Sequence, residues 1–176
     1  ENRVSAPQVT ALGSFRPLSP IEREVLPSPA EHEVDALEIG LRAAFAAPQR
    51  DSLPIPGGEQ DLRRRECVRR LGAGLAVLAA PSSEPEARRA NTADTYRFWA
   101  AEAGAGAGDR VLIVTSPMYV PFQHCDAIRL LTVPYGCVVH TVGLDTRRAT
   151  PATPPGAVGA DRYLQEIRSA IRSMRR

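Results

Sequence analysis

Serines and arginines carry most of the chemistry this sequence can offer, and they cluster behind short apolar runs. Ser14 and Arg16 follow Val9–Gly13. Ser82 and Ser83 follow Gly74–Ala80, with Arg88-Arg89-Ala90-Asn91-Thr92 close behind. Ser116, Tyr119 and Gln123 follow Arg110–Thr115, and Asp145, Arg147 and Arg148 follow Cys137–Val142. Hydroxyls and guanidinium groups in such positions suit an anionic or strongly polar small ligand. Ser14, Ser116 and Tyr119 are the candidates for catalysis and substrate orientation. Arg16, Arg89, Asn91, Thr92 and Gln123 are the candidates for substrate and anion binding. The Arg88–Thr92 segment places two guanidinium groups before a helix start, whose unpaired N–H groups and positive end attract anions. Asn91 with Asp94 three residues on also reads as a helix cap.

Other groupings carry less. Arg63, Arg64, Arg65, Arg69 and Arg70 are the densest positive cluster, but no aromatic residues interleave it and Glu59, Asp61 and Glu66 offset it. It reads as a solvated helix face or a contact for an acidic partner, not a nucleic-acid surface. Glu31 and Glu33 flank His32 and offer a general acid/base pair, although acids also simply suit a helix start. Ser116 lacks the GxSxG elbow. His124 is eight residues beyond it, and His140 reads as a packed strand residue. The Gly104–Gly108 stretch has no GxGxxG register. The histidines and cysteines show no metal-ligand spacing, so no metal is expected.

Composition narrows the classes further. All 22 basic residues are arginine, with no lysine. A Schiff-base lysine and a P-loop lysine are therefore impossible within this chain, which removes pyridoxal-phosphate enzymes, P-loop nucleotidases and kinases. No cofactor is expected. Three separated cysteines, Cys67, Cys125 and Cys137, argue against a disulfide scaffold and for a reducing, cytoplasmic setting. No apolar run reaches membrane-spanning length, and no secretory leader pattern opens the chain. The chain begins at Glu1, consistent with removal of an upstream segment.

These groups need a scaffold, and 176 residues with 43% hydrophobic content can form one α/β domain with its own core. Strands are expected at Val9–Gly13, Gly74–Ala80, Arg110–Thr115 and Cys137–Val142. Helices are expected at about 32–45, 59–71, 91–103, 120–131 and 161–174. The third is capped by Asn91. The last carries Leu164, Ile167, Ile171 and Met174 on one stripe and presents Arg162, Glu166 and Arg172 outward. Pro20 to Ala30 reads as irregular, residues 48–58 as an exposed Pro/Gly loop and 146–160 as a Pro-rich loop. Strands alternating with helices predict a Rossmann-like, mostly parallel sheet of about four strands with helices on both faces. In such sheets ligands bind beyond the C-terminal strand ends.

Three segments resemble the bacterial DUF218 family. Val77-Leu78-Ala79-Ala80-Pro81-Ser82 followed by Arg89-Ala90-Asn91-Thr92-Ala93-Asp94-Thr95 is similar to that family's N-T-x-E-N region. Leu112-Ile113-Val114-Thr115-Ser116-Pro117-Met118-Tyr119 is similar to its L-V-T-S-x-Y segment. Val9–Arg16 is similar to its middle strand and small-residue turn. The resemblance spans roughly residues 9–145 and implies a Rossmann-like sandwich. It departs at Asp94, where the family carries Glu, and at Gln123, where the family carries Arg. The family's opening strand and glycine-rich loop have no counterpart before Val9.

That gap leads to the expectation of a site completed by a second protein chain or by a removed N-terminal segment. The chain then reads as a subunit of a heteromeric enzyme of natural-product biosynthesis. A ring closure such as aziridine formation with loss of sulfate is one reaction that an arginine-and-hydroxyl rim would serve. Two alternatives stand beside it. One is a ligand-binding or regulatory module for a nucleoside-type ligand such as S-adenosylmethionine, which the family includes. The other is a non-catalytic structural partner of a catalytic chain.

Overall fold

The computed structural model describes residues 6–26, 30–48, 58–72, 74–144 and 160–175. It is mixed α/β with two small sheets. Its contacts fall into two compact units, Glu1–Trp99 and Ala100–Arg176.

The first unit is built on strands β1 (Val9–Gly13), β2 (Cys67–Gly72) and β3 (Leu75–Ala79), in the order β1-β3-β2. β1 and β3 are parallel, with Gly13 beside Ala79 at their C-terminal ends. β2 runs antiparallel to β3. Between β1 and β2 lie helices α1 (Pro20–Glu24), α2 (Glu33–Ala44) and α3 (Glu59–Arg64). Helix α4 (Thr92–Ala103) follows β3. Helix α2 packs on β1 and β3. Phe15, Val34, Leu62, Val77 and Ala79 form the buried core, flanked by Ala11, Leu37, Leu41, Cys67 and Leu71.

Two expectations fail in this unit. Residues 67–71 are a strand, not the end of an arginine-rich helix: α3 stops at Arg64 and the chain turns extended at Arg65. Strand pairing to β3 outcompetes the thin helical stripe of Leu62, Val68 and Leu71. Pro20 likewise opens a helix, because Ser19 and Glu22 form a reciprocal capping box around it. The helix expected at about 32–45 is present as Glu33–Ala44, and so is the Asn91 cap.

A buried ionic cluster fixes α2 against β2. Arg69 of β2 donates to Asp35 at 2.8 Å and to Glu38 at 2.9 Å, and Arg42 donates to Glu38 at 2.8 Å. The two carboxylate side chains are each 8% exposed. Burial works against the Arg69 charge, but its hydrogen bonds with Asp35 and Glu38 outweigh this and raise its pKa above the ordinary value.

The second unit pairs strands β4 (Arg110–Thr115) and β5 (Val138–Gly143) in parallel. Between them come a 3-10 turn (Pro117–Tyr119), α5 (Val120–Ala127), a π-helical turn (Ile128–Thr132) and α6 (Val133–Tyr135). Helix α7 (Ala160–Met174) packs on α5. The expected strands here are present, but among the described residues the strands belong to two sheets, one carrying an antiparallel strand, where a single sheet was expected.

Within this second sheet the pleat sorts the side chains cleanly. Val111, Ile113, Val139 and Thr141 are half-buried or buried, while Leu112, Val114, Val138, His140 and Val142 are exposed. His140 is therefore not a packed core residue, because its strand position lies on the open face. Helix α7 also differs from expectation. Glu166, Ala170 and Ser173 are buried, whereas Leu164, Ile167, Ile171 and Met174 are exposed. Hydrogen bonds orient it: Ser173 donates its hydroxyl proton to Asp126, Arg129 donates to Asp126 at 2.8 Å, and Arg129 Nε reaches Ser173 Oγ at 3.4 Å.

Candidate functional site

The first unit holds a small, shallow depression lined by Ser14, Phe15, Leu62, Arg63, Ala80, Arg89 and Ala90. It lies beyond the C-terminal ends of the parallel strands β1 and β3, where Ser14 and Ala80 follow directly. Phe15 and Leu62 form its apolar floor as members of the core. Arg63, from α3, and Arg89, from the segment before α4, are its basic lining residues. Arg63 also reaches the Pro85 carbonyl at 3.5 Å.

Ser14 is placed by the chain on both sides of it. The loop after β1 runs back along the start of α2: Glu33 N–H donates to the Arg16 carbonyl at 2.9 Å, and Leu18 N–H to the Glu31 carbonyl at 2.9 Å. This brings Glu33 Oε2 within reach of Ser14, and it accepts from Ser14 N–H at 3.0 Å and from the Ser14 hydroxyl at 2.8 Å. Gly13 permits the approach, because a Cβ there would strike Leu37 Cδ1 and sit 3.6 Å from Glu33 Oε2. The Ser14 Oγ in turn accepts from Arg16 N–H at 3.2 Å. Behind this loop, Phe15 meets His32 edge to face, with ring centroids 6.1 Å apart.

The other sequence candidates fall into different surroundings. Arg16 is held by Glu22 through two bonds of 3.0 and 2.8 Å. Arg16, a hydrogen bond from Ser19 N–H and the Ser19 hydroxyl pull the Glu22 carboxyl down to about 2. Arg16 is thus a strut of the loop and is absent from the depression's lining. Arg88 is tied to Asp94 at 2.5 Å, to Glu84 and to Ser83. Burial alone would raise the Asp94 pKa, but hydrogen bonds from Arg88, Ser83 and Asn91 N–H hold it below the ordinary carboxylate range. Asn91 spends its side-chain carbonyl on Asp94 N–H at 3.1 Å, so its role is that of a cap. Thr92 opens α4.

Ser116, Tyr119 and Gln123 belong to the second unit, around the 3-10 turn and the first half of α5. Tyr119 N–H donates to the Ser116 carbonyl at 2.9 Å. His124 Nδ1 lies 3.1 Å from the Thr141 hydroxyl, which ties α5 to β5. Burial pushes the Cys137 thiol up, helped by the charge of Asp109, so it is an inert core residue. Asp145, Arg147 and Arg148 lie outside the described residues. Among the described residues no group of three or more His, Cys, Asp or Glu is placed to hold a metal ion, and no helix is long and apolar enough to cross a membrane.

Sequence reasoning named Glu33 only as one of two acids beside His32, and did not single out Arg63 from its cluster. The signal for Arg63 was its place on a short helix ahead of a strand. The signal for Glu33 was its place at the start of the helix that follows the β1 loop.

No family model matches the chain, and no solved structure matches it. An uncharacterized protein of Mycobacterium bovis (strain ATCC BAA-935 / AF2122/97) is 39% identical over 105 residues, which is 60% of this chain and 29% of the relative. Uncharacterized proteins of Mycobacterium tuberculosis, from strains CDC 1551 / Oshkosh and ATCC 25618 / H37Rv, match with the same identity and coverage. The chain thus aligns with less than a third of the length of these relatives.

Proposed function

We propose that this chain is the anion-binding component of an enzyme acting on a small anionic or polar metabolite. The observation that carries the reading is the shared depression, in which Ser14, Arg63 and Arg89 converge beyond the C-terminal ends of β1 and β3. That is where ligands sit in parallel α/β sheets. In this reading Arg63 and Arg89 hold the anionic group, and Ser14, braced by Glu33, orients the rest of the ligand. The parallel pairing of β1 and β3, with α2 packed on both strands, supports a Rossmann-like half as its frame.

Two guanidinium groups beside a hydroxyl suit a step in which negative charge departs, such as an intramolecular ring closure that expels an anionic leaving group like sulfate. A second protein chain completes the enzyme. What supports it is the exposed apolar face of the β4–β5 sheet, since parallel strands are ordinarily covered on both faces.

The test is Arg89→Ala, with anion affinity read by ligand-dependent thermal stabilisation. A charge-assisted hydrogen bond lost from the site lowers affinity about tenfold or more, read on a variant whose far-UV circular dichroism shows it folded. Unchanged affinity in a folded variant refutes the assignment.

A further inference from the structure

The hydrogen bonds around Ser14 decide what kind of ligand its hydroxyl can meet. A serine hydroxyl has one proton to give and two lone pairs to accept with. The proton is committed to Glu33 Oε2 at 2.8 Å, and the same carboxylate oxygen also takes Ser14 N–H at 3.0 Å. One lone pair is committed to Arg16 N–H at 3.2 Å. What remains on Ser14, a lining residue of the depression, is a single acceptor. A carboxylate only accepts once ionised, so Glu33 cannot return the proton by turning donor.

We propose that the β1–β3 site selects anions that carry their own N–H or O–H donor, and that Glu33 is the positioning residue that enforces this. The ligand class is a protonated oxyanion, or an amino- or hydroxy-substituted anion. Its anionic oxygens face Arg63 and Arg89, and its donor faces Ser14 Oγ. An anion of the same shape and charge without a proton sets oxygen lone pair against oxygen lone pair and is rejected. This rests on the anion-binding reading above and adds the direction of one hydrogen bond to it.

Glu33 reaches Ser14 only because of the local build. It stands at the first position of α2, the loop after β1 is stitched to it by backbone hydrogen bonds, and Gly13 leaves room for Leu37 and Glu33 beside the strand end. Glu33 lies 3.8 Å from Arg16 Nη2, and its two short bonds go to Ser14.

Inorganic phosphate and sulfate separate the possibilities. At about pH 8 both are tetrahedral dianions, and only phosphate retains a proton. Binding to the full chain is followed by NMR titration of the Ser14 and Arg16 backbone amides. Phosphate is expected to bind about tenfold or more tightly than sulfate. Ser14→Ala is expected to bring the ratio to within about twofold while Arg89-dependent binding persists. Glu33→Ala frees the Ser14 proton to point at the ligand, and is expected to raise sulfate affinity relative to phosphate. Equal affinities in the unchanged protein, with both abolished by Arg89→Ala, overturn the donor requirement and leave the anion site standing. No binding of either anion, or binding indifferent to Arg89→Ala, overturns the anion site itself.

Discussion

Replacing Arg69 by methionine tests the arrangement that holds α2, and with it Glu33, in place. Arg69 is 17% exposed at its side chain and bridges two carboxylates that are each 8% exposed. Removing one partner of a buried ion pair costs about 3–5 kcal/mol, because the other charge stays behind without its counterion. Here the survivors are not abandoned. Asp35 keeps N–H donors from Glu31 at 3.2 Å and His32 at 2.9 Å, and Glu38 keeps Arg42 at 2.8 Å. The loss should therefore fall near the lower end, at ~3 kcal/mol. With a urea slope of about 1–3 kcal/mol per molar, the midpoint moves down by about 1–3 M. Far-UV circular dichroism in urea reads it directly. Adding Asp35→Asn to Arg69→Met should recover part of the loss, since the amide keeps its acceptor for the backbone and carries no charge to strand. If Arg69→Met costs under ~1 kcal/mol, as the exposed Arg97→Ala should, the cluster does not hold α2 and the reasoning fails.

Acid should loosen the loop around the site. The Glu22 carboxyl is held down to about 2 in the folded protein against an ordinary 4.5, so its stabilisation is complete above 4.5 and is lost as pH falls toward 2. With 41% side-chain exposure, solvent screening limits the effect to under ~1 kcal/mol, and Glu22→Gln should flatten that part of the stability profile. Coincident slopes in the two proteins would show that the Arg16–Glu22 pair contributes nothing. Gly74→Ala should cost more than ~2 kcal/mol by chemical denaturation, because Gly74 sits at φ 76° and its new Cβ would strike the Pro7 carbonyl oxygen. A neutral substitution there would mean that the β1 entry is not seated as described.

How much of this was legible in the chain depends on the range of the interaction that decides it. Local signals read correctly: the apolar strands, the Asn91–Asp94 cap, and the position of Ser14 and Arg89 behind strand ends. The Ser19–Glu22 capping box was equally local and legible, yet three nearby prolines masked it, although proline at a first helical position favours the helix. Strand β2 was not legible, because Arg69 is a half-buried strand residue only by virtue of Asp35 and Glu38, more than thirty positions away. Without those partners a run of arginines reads as a solvated helix. Helix α7 fails for the same reason: its stripe of Leu164, Ile167, Ile171 and Met174 is plain in the sequence, but Ser173 meeting Asp126 and Arg129 across 47 and 44 positions turns a polar edge inward. Ser14 shows where the boundary falls within a single residue. Its place behind a strand follows from the sequence, and so does its hydroxyl. Which way that hydroxyl can face a ligand depends on a carboxylate nineteen residues on, so the chemistry open to the site is set by a fold-level contact.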